Sequence, residues 1–137
     1  MIKHLNLVKN TVEQSPNGLN NVSYEDFKKI TNSYVNHIDC SCLDEFDFET
    51  RKDVLVSCIH KLCIGGTLSL RFINMDLLAN KIKKSEMTGK KYSEILPMLN
   101  SCWSEIEISD VISQTKLTIN KMYYDNIYSI ITLEKNQ

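Results

Sequence analysis

A strand, an amphipathic helix, a double glycine and a second strand follow one another over residues 34–72, and this succession constrains the fold more than any other feature. Residues 34–42 (YVNHIDCSC) form a compact, apolar and β-branched run that predicts a buried strand. Apolar residues then recur at helical spacing with charged residues opposite, which indicates a helix with one stripe against a core. The apolar positions are Val54, Leu55, Cys58, Ile59 and Leu62, and the charged ones are Arg51, Lys52 and Asp53.

The ends of this helix are marked by residues suited to capping. Asp47 is a good N-cap, because a short carboxylate side chain accepts from the free amides of the first turn. Gly65 stands where a helix C-terminal glycine belongs, and Gly66 allows the chain to reverse into a strand over residues 67–73. We therefore predict a βαβ unit, which implies a parallel sheet.

Short patterns precede this unit. Residues 2–8 have period-two apolar character and predict a first strand, and a second is predicted over residues 19–24. Ser23 would cap a helix over residues 24–31, whose first turn carries Glu25 where the helix dipole favours an acid.

Helices and a hairpin are predicted after the unit. Residues 75–84 favour a helix, and residues 92–114 favour a helical region interrupted near Pro97, which cannot donate a hydrogen bond inside a helix. Two β-rich runs, 116–123 and 127–134, are joined by a tight polar connection and predict an antiparallel hairpin.

Composition fits one α/β domain over residues 1–137, with 42% hydrophobic and 24% charged residues. The formal net charge of −1 gives no global field toward nucleic acid or an anionic membrane. No apolar stretch approaches the roughly 20 residues of a membrane span, and the N-terminus lacks a signal-peptide pattern, so we expect a cytoplasmic protein. Richness in Asn, Lys and Ile is typical of an AT-rich genome, including viral ones.

Cysteines and histidines show no metal-ligand spacing. His4, His37 and His60 are far apart in sequence, no CxxC pair occurs, and we predict no metal site. An odd number of cysteines without a secretory signal favours reduced, structural side chains. These are Cys40, Cys42, Cys58, Cys63 and Cys102.

Five segments in order resemble motifs of small class I S-adenosylmethionine-dependent methyltransferases, particularly those predicted in bacterial and phage sugar or surface-glycan clusters. The family motifs are LNLGCG, GxINVD, a VLEHF-like run, LxPGGxLxI and a PD pair. Their counterparts are LNL (5–7), GLNNVS (18–23), CLDEF (42–46), LCIGGTLSL (62–70) and NMD (74–76). The resemblance implies a reduced Rossmann-like methyltransferase sheet, mostly parallel with a C-terminal antiparallel hairpin, and S-adenosylmethionine as cofactor.

The departures from the family pattern fall on the cofactor site. Family glycines after the first strand let the backbone approach the cofactor, but Val8, Lys9 and Asn10 stand there. Ser23 replaces the acid that grips the ribose hydroxyls, with Glu25 and Asp26 nearby as displaced substitutes. The resemblance places cofactor contacts at Val8, Asn10, Ser23, Glu25 and Cys42.

Two functions follow from the resemblance. The first is a degenerate methyltransferase-fold protein with weak or absent cofactor binding, which acts as a binding or structural subunit. The second is a minimal active methyltransferase on a sugar or other small acceptor. Asp39, Asp44 and Glu45 are predicted to cluster after the central strand, where Asp44 or Glu45 would act as a general base or orient an acceptor hydroxyl. A solvated loop is the alternative reading of these acids.

Two surface groups leave partners open. A lysine run would contact phosphate or form a solvated helix face, and without interleaved aromatics it argues against nucleic acid. It consists of Lys81, Lys83, Lys84, Lys90 and Lys91. An aromatic group would form either core packing or an interface with a protein partner. It consists of Tyr92, Trp103, Tyr123, Tyr124 and Tyr128.

Overall fold

The computed structural model describes residues 1–10, 21–95 and 103–136. Its strands are β1 (Leu5–Val8), β2 (Asn21–Ser23), β3 (Val35–Cys40), β4 (Leu62–Ile73), β5 (Leu117–Asp125) and β6 (Tyr128–Lys135). Its α-helices are α1 (Tyr24–Lys28), α2 (Arg51–Lys61), α3 (Met75–Lys83), α4 (Gly89–Ile95) and α5 (Glu105–Ser113), and one 3-10 turn covers Leu43–Glu45.

The six strands form one sheet in the order β2-β1-β3-β4-β6-β5. Neighbours from β2 to β4 are parallel, whereas β6 runs antiparallel to both β4 and β5. The predicted α/β sheet, mostly parallel with a C-terminal antiparallel hairpin, is therefore confirmed.

Alternate residues of the strands face the main core. Leu5, Ile38, Leu68 and Leu133 lie side by side across four strands, and all are fully buried. Apolar side chains of α1, α2 and α5 join the same core cluster. The other face, here called the polar face, carries half-buried residues at the intervening positions: Asn6, Asn21, His37, Asp39, Thr67, Ser69 and Thr132.

The βαβ unit has the predicted order, but its double glycine plays a different part. Helix α2 ends at Lys61, and Leu62 is already extended and paired with Val35. Gly65 and Gly66 therefore lie inside β4, where the register with β3 shifts between Val35 and His37. The predicted helix-capping role of Gly65 was wrong, because a helix end and a strand irregularity both use a glycine at positive φ, here +82°.

Gly66 and Gly65 should respond differently to substitution. A Cβ at Gly66 would lie 2.8 Å from the carbonyl oxygen of Cys63 and 3.0 Å from that of Asn36, and neither backbone atom can move cheaply. We expect Gly66→Ala to lower the free energy of unfolding in urea by about 2 kcal/mol. Gly65→Asn is the control and should cost under ~1 kcal/mol, because Asn tolerates positive φ and nothing lies within 4 Å. Equal losses would contradict the contact at Gly66.

Other predicted elements form with shifted ends. Ser23 caps α1, since its hydroxyl accepts from the Asp26 amide at 3.3 Å, and α1 is shorter than predicted. Asp47 accepts from the Thr50 amide at 2.7 Å, in the turn before α2. The Thr50 interaction lowers the pKa of the Asp47 carboxyl. The predicted interruption at Pro97 lies outside the described residues.

The charged side of α2 was predicted incorrectly at Arg51, which is only 4% exposed. Its guanidinium pairs with Glu107 of α5 and lies between the rings of Phe48 and Trp103. Lys52 and Asp53 are exposed as expected.

Candidate functional site

The parallel strands β1, β2, β3 and β4 end at one edge of the sheet, here called the carboxyl edge. Open α/β sheets place ligand crevices at such edges. Val8 and Ser23 are paired at the ends of β1 and β2, and Cys40 and Ile73 end β3 and β4. Most predicted site residues lie on or directly after these ends.

Lys9 spans from the end of β1 to the segment that follows β3. Its ammonium donates to the Glu45 carbonyl oxygen at 2.9 Å and lies 6.0 Å from the Phe46 ring centroid. The lysine stem therefore crosses the gap between residues 8–10 and 42–45. This is the place where the family resemblance puts the cofactor.

Four other residues on this side of the sheet were predicted to contact the cofactor. The Ser23 hydroxyl serves as the N-cap of α1. Glu25 is exposed and pairs with Lys28 at 3.0 Å. Val8 is half-buried at the strand end, and Asn10 is exposed.

Cys42 is buried at the start of the 3-10 turn, and its sulfur lies 4.0 Å from that of Cys40. The contact with Cys40 and burial raise the pKa of the Cys42 thiol well above its ordinary value. The raised pKa keeps the thiol protonated at neutral pH and so disfavours a role as nucleophile. The four described cysteines, which exclude Cys102, are all free.

Asp44 is buried at the carboxyl edge with 8% exposure, and the Ile73 amide donates to both carboxylate oxygens at 3.1 and 3.0 Å. Burial raises the pKa of Asp44 to about 7, and Glu45 adds to the rise, whereas the Ile73 amide and Arg71 oppose it. Glu45 itself is exposed. Asp44 thus ties the segment after β3 to the end of β4 and exchanges a proton near neutrality.

The predicted cluster of three acids does not form. Asp39 lies within β3 on the polar face and contacts His4 and His37, whereas Asp44 faces Ile73. Sequence proximity suggested otherwise, but Asp39 lies inside β3, whereas Asp44 and Glu45 lie in the 3-10 turn beyond the end of that strand.

His4, His37 and Asp39 come together although the histidines are 33 positions apart in sequence. The two imidazole rings meet edge to face with centroids 4.4 Å apart. Because the histidines are far apart in the sequence, they were predicted to be far apart in space. That prediction was wrong for His4 and His37. The available signal was the strand alternation, since each of the three residues directly precedes a buried one, Leu5, Ile38 or Cys40.

The lysine run borders a cavity of about 620 Å³ between α3, α4 and the β5–β6 turn. The cavity is lined by apolar and aromatic side chains, including Ile73, Ile127 and Tyr128, and by both acidic and basic side chains. Lys81 pairs with Glu86 at 3.0 Å, and Lys91 with Glu94 at 4.0 Å. Two of the five lysines of the run are therefore paired with acids.

The aromatic group divides between core and surface. Trp103 is buried in the main core, which agrees with the core-packing alternative for this residue. Tyr123 and Tyr124 are exposed on β5, the outer strand of the sheet, together with Ile119 and Met122.

Comparison with known proteins identifies the fold. No protein-family model and no curated protein matches the sequence. Among solved structures, a SAM-dependent methyltransferase from Archaeoglobus fulgidus matches with 11% identity and a TM-score of 0.57, over 88% of this chain and 69% of that one. A Burkholderia thailandensis 1,6-didemethyltoxoflavin-N1-methyltransferase, bound to S-adenosylhomocysteine, matches with 10% identity and a TM-score of 0.56, over 89% and 53%.

A third match is the complex between the Haloferax volcanii Trm112 methyltransferase activator and the putative methyltransferase, with 9% identity and a TM-score of 0.59, over 90% and 65%. This chain spans from 36% to 69% of the length of these solved structures. Their structural similarity shows that the fold is that of class I S-adenosylmethionine-dependent methyltransferases. No described helix is long and apolar enough to cross a membrane.

Proposed function

We propose that this chain is a degenerate methyltransferase-fold protein that binds S-adenosylmethionine weakly or not at all and acts as a binding or structural subunit. The observation that carries the proposal is the contact from Lys9 to the Glu45 carbonyl across the carboxyl edge. A cofactor there would have to displace the lysine stem and break this hydrogen bond. In addition, the positions at which the family has glycines are occupied by Val8, Lys9 and Asn10, whose side chains take up space beside the backbone.

The polar groups nearby add to this argument. The Ser23 hydroxyl is already used as a helix cap, and no carboxylate follows β2 directly. A serine hydroxyl lacks the negative charge with which an acid holds two ribose hydroxyls. The charged interaction that would hold the ribose is therefore missing at the end of β2.

A protein partner is supported by two observations. Strand β5 is the outer strand of the sheet and carries four exposed apolar or aromatic side chains, with Ile119, Met122 and Tyr124 on one face and Tyr123 on the other. Such a group on an outer strand is typical of an interaction surface. One similar structure is itself a complex with an activator protein.

Calorimetric titration with S-adenosylmethionine and S-adenosylhomocysteine tests the proposal. We expect the wild-type protein to bind either compound with a dissociation constant above about 1 mM. This corresponds to a binding free energy of less than ~4 kcal/mol in magnitude. Lys9→Ala should tighten binding of S-adenosylhomocysteine at least about tenfold, roughly 1.4 kcal/mol, because it removes the side chain from the gap. Lys52→Ala, an exposed lysine on α2, is the matched control and should leave it unchanged.

A micromolar dissociation constant for the wild-type protein would overturn the proposal. It would favour the second candidate, a minimal methyltransferase acting on a sugar or other small acceptor. Asp44 is the observation that favours this candidate, because a carboxyl group with a pKa of about 7 at the carboxyl edge suits a general base. Transfer of a labelled methyl group from S-adenosylmethionine would then depend on Asp44.

A further inference from the structure

The polar face carries a second group of side chains, away from the gap crossed by Lys9. We propose that His4, His37 and Asp39 form a binding site for a divalent transition-metal ion of the zinc type. Nothing in the proposed function requires this site, and its test does not involve S-adenosylmethionine.

Strand pairing brings the three side chains together. Strands β1 and β3 are parallel neighbours with Leu5 opposite Ile38 and Asn6 opposite Asp39, so His4 lies beside His37. Leu5 and Ile38 point into the core and are fully buried. His4 and His37 directly precede these buried residues and therefore project from the polar face, where His37 and Asp39 lie within β3 and His4 lies just before β1.

The ligand atoms converge on one point. Nε2 of His4 lies 2.6 Å from Oδ2 of Asp39, and Nε2 of His37 lies 3.2 Å from Oδ1. One atom from each of the three residues lies within 4.8 Å of the others. Zinc binds imidazole nitrogen and carboxylate oxygen at about 2.0–2.2 Å, which places its ligand atoms roughly 3–3.5 Å apart. Small side-chain rotations would bring the three atoms to that spacing.

A metal ion would use the same atoms that now form two hydrogen bonds. In a neutral imidazole one ring nitrogen carries the proton and the other is an acceptor, so Nε2–H of each ring can donate to Asp39. With the ring proton on Nδ1 instead, each Nε2 would offer its lone pair to a divalent ion. The Asp39 carboxylate would then be the third ligand and would offset part of the charge of the ion.

Thr67 orients one of the rings. Its hydroxyl on β4 contacts Nδ1 of His37, which leaves Nε2 directed at Asp39. Metal-binding histidines commonly donate their other ring N–H to a neighbouring oxygen, which fixes the tautomer and the ring plane. Thr67 is paired with His37 across the strands, so the sheet itself supplies this support.

The ligand set and its exposure define the class of ion. Two imidazoles and one carboxylate suit Zn²⁺, Co²⁺ or Ni²⁺ better than Ca²⁺ or Mg²⁺, which prefer oxygen ligands. The side chains of His4, His37 and Asp39 are 40%, 24% and 28% exposed, so an ion can enter from solvent. Three protein ligands leave at least one coordination position for water or an incoming ligand.

Titration of the EDTA-treated full chain with Zn²⁺ at pH 7 tests the proposal. We expect one ion per chain with a dissociation constant on the order of micromolar. His37→Asn and Asp39→Asn should each weaken binding at least about 100-fold, and Thr67→Val about tenfold. His60→Asn is the matched control and should bind as the wild type does, because His60 is exposed on α2. Circular dichroism establishes that each variant is folded.

Cobalt substitution identifies the ligands. The Co²⁺ protein should show d–d absorption without sulfur-to-cobalt charge transfer, which would signal binding at a cysteine. The proposal is overturned by a charge-transfer band, by the absence of saturable Zn²⁺ binding, or by Asp39→Asn binding as tightly as the wild type. If His37→Asn does not fold, Asp39→Asn alone decides the matter.

Discussion

At pH 8 the Asp44→Asn variant is expected to be more stable than the wild-type protein by up to about 4 kcal/mol. Burial raises the pKa of Asp44 from 3.8 to about 7, and each unit corresponds to about 1.36 kcal/mol. The folded protein holds a proton that the unfolded chain has released between about pH 4 and pH 7. The stability that protonated Asp44 contributes to the folded protein is fully present below about pH 4 and is lost as the pH rises through 7. The amide of asparagine can still accept from the Ile73 N–H and carries no charge at any pH in this range.

Urea unfolding from pH 4.5 to pH 8 measures the effect. The difference between wild type and variant should grow with pH up to about 7 and then level off, and subtraction removes the contributions of other titrating groups. Glu49→Gln is the control and should show a small, flat difference, because Glu49 is exposed and does not contribute to the pKa of Asp44. A difference for Asp44→Asn that does not vary with pH would contradict the buried carboxyl.

Replacing Arg51 with alanine should lower the free energy of unfolding by about 3 kcal/mol. The guanidinium pairs with Glu107 and stacks 4.3 Å from the ring centroids of both Phe48 and Trp103. Truncation removes the ion pair and leaves a gap between two aromatic rings. The expected loss lies at the lower end of the range for breaking a buried ion pair, because Glu107 is 38% exposed and its carboxylate can be hydrated once Arg51 is removed.

Lys52→Ala provides the comparison for Arg51, since it removes the exposed cation next in sequence. It should change the free energy of unfolding by less than ~0.5 kcal/mol in the same urea titrations. Arg51→Lys should recover only part of the loss, because an ammonium does not stack as a guanidinium does. Full recovery by lysine would show that charge alone matters and would contradict the role of the stack.

Features set by local sequence were predictable. The β5–β6 hairpin, the Ser23 cap and the order β3-α2-β4 follow from turn chemistry, capping and apolar period, which act over a few residues. The Gly65-Gly66 irregularity was not predictable, because the same dipeptide also ends helices. Arg51 was missed because its burial depends on Glu107, which is 56 positions away.

The site was predictable in place but not in detail. Residues that follow parallel strands had to lie near the carboxyl edge, as Val8, Ser23 and Asp44 do. Side-chain contacts within it depend on the spacing of separate strands, which no local pattern encodes. The Lys9 contact with Glu45 and the meeting of His4 with His37 both arise from the pairing of β1 with β3.

The central claim is that the gap crossed by Lys9 does not receive the cofactor, and residue-resolved NMR tests it most directly. Backbone amide signals of ¹⁵N-labelled protein would be followed as S-adenosylhomocysteine is added to about 1 mM. We expect the signals of Val8, Lys9, Ser23 and Cys42 to stay unchanged. Saturable shifts of these four amides with a common micromolar dissociation constant would contradict the claim and identify the chain as a cofactor-binding methyltransferase.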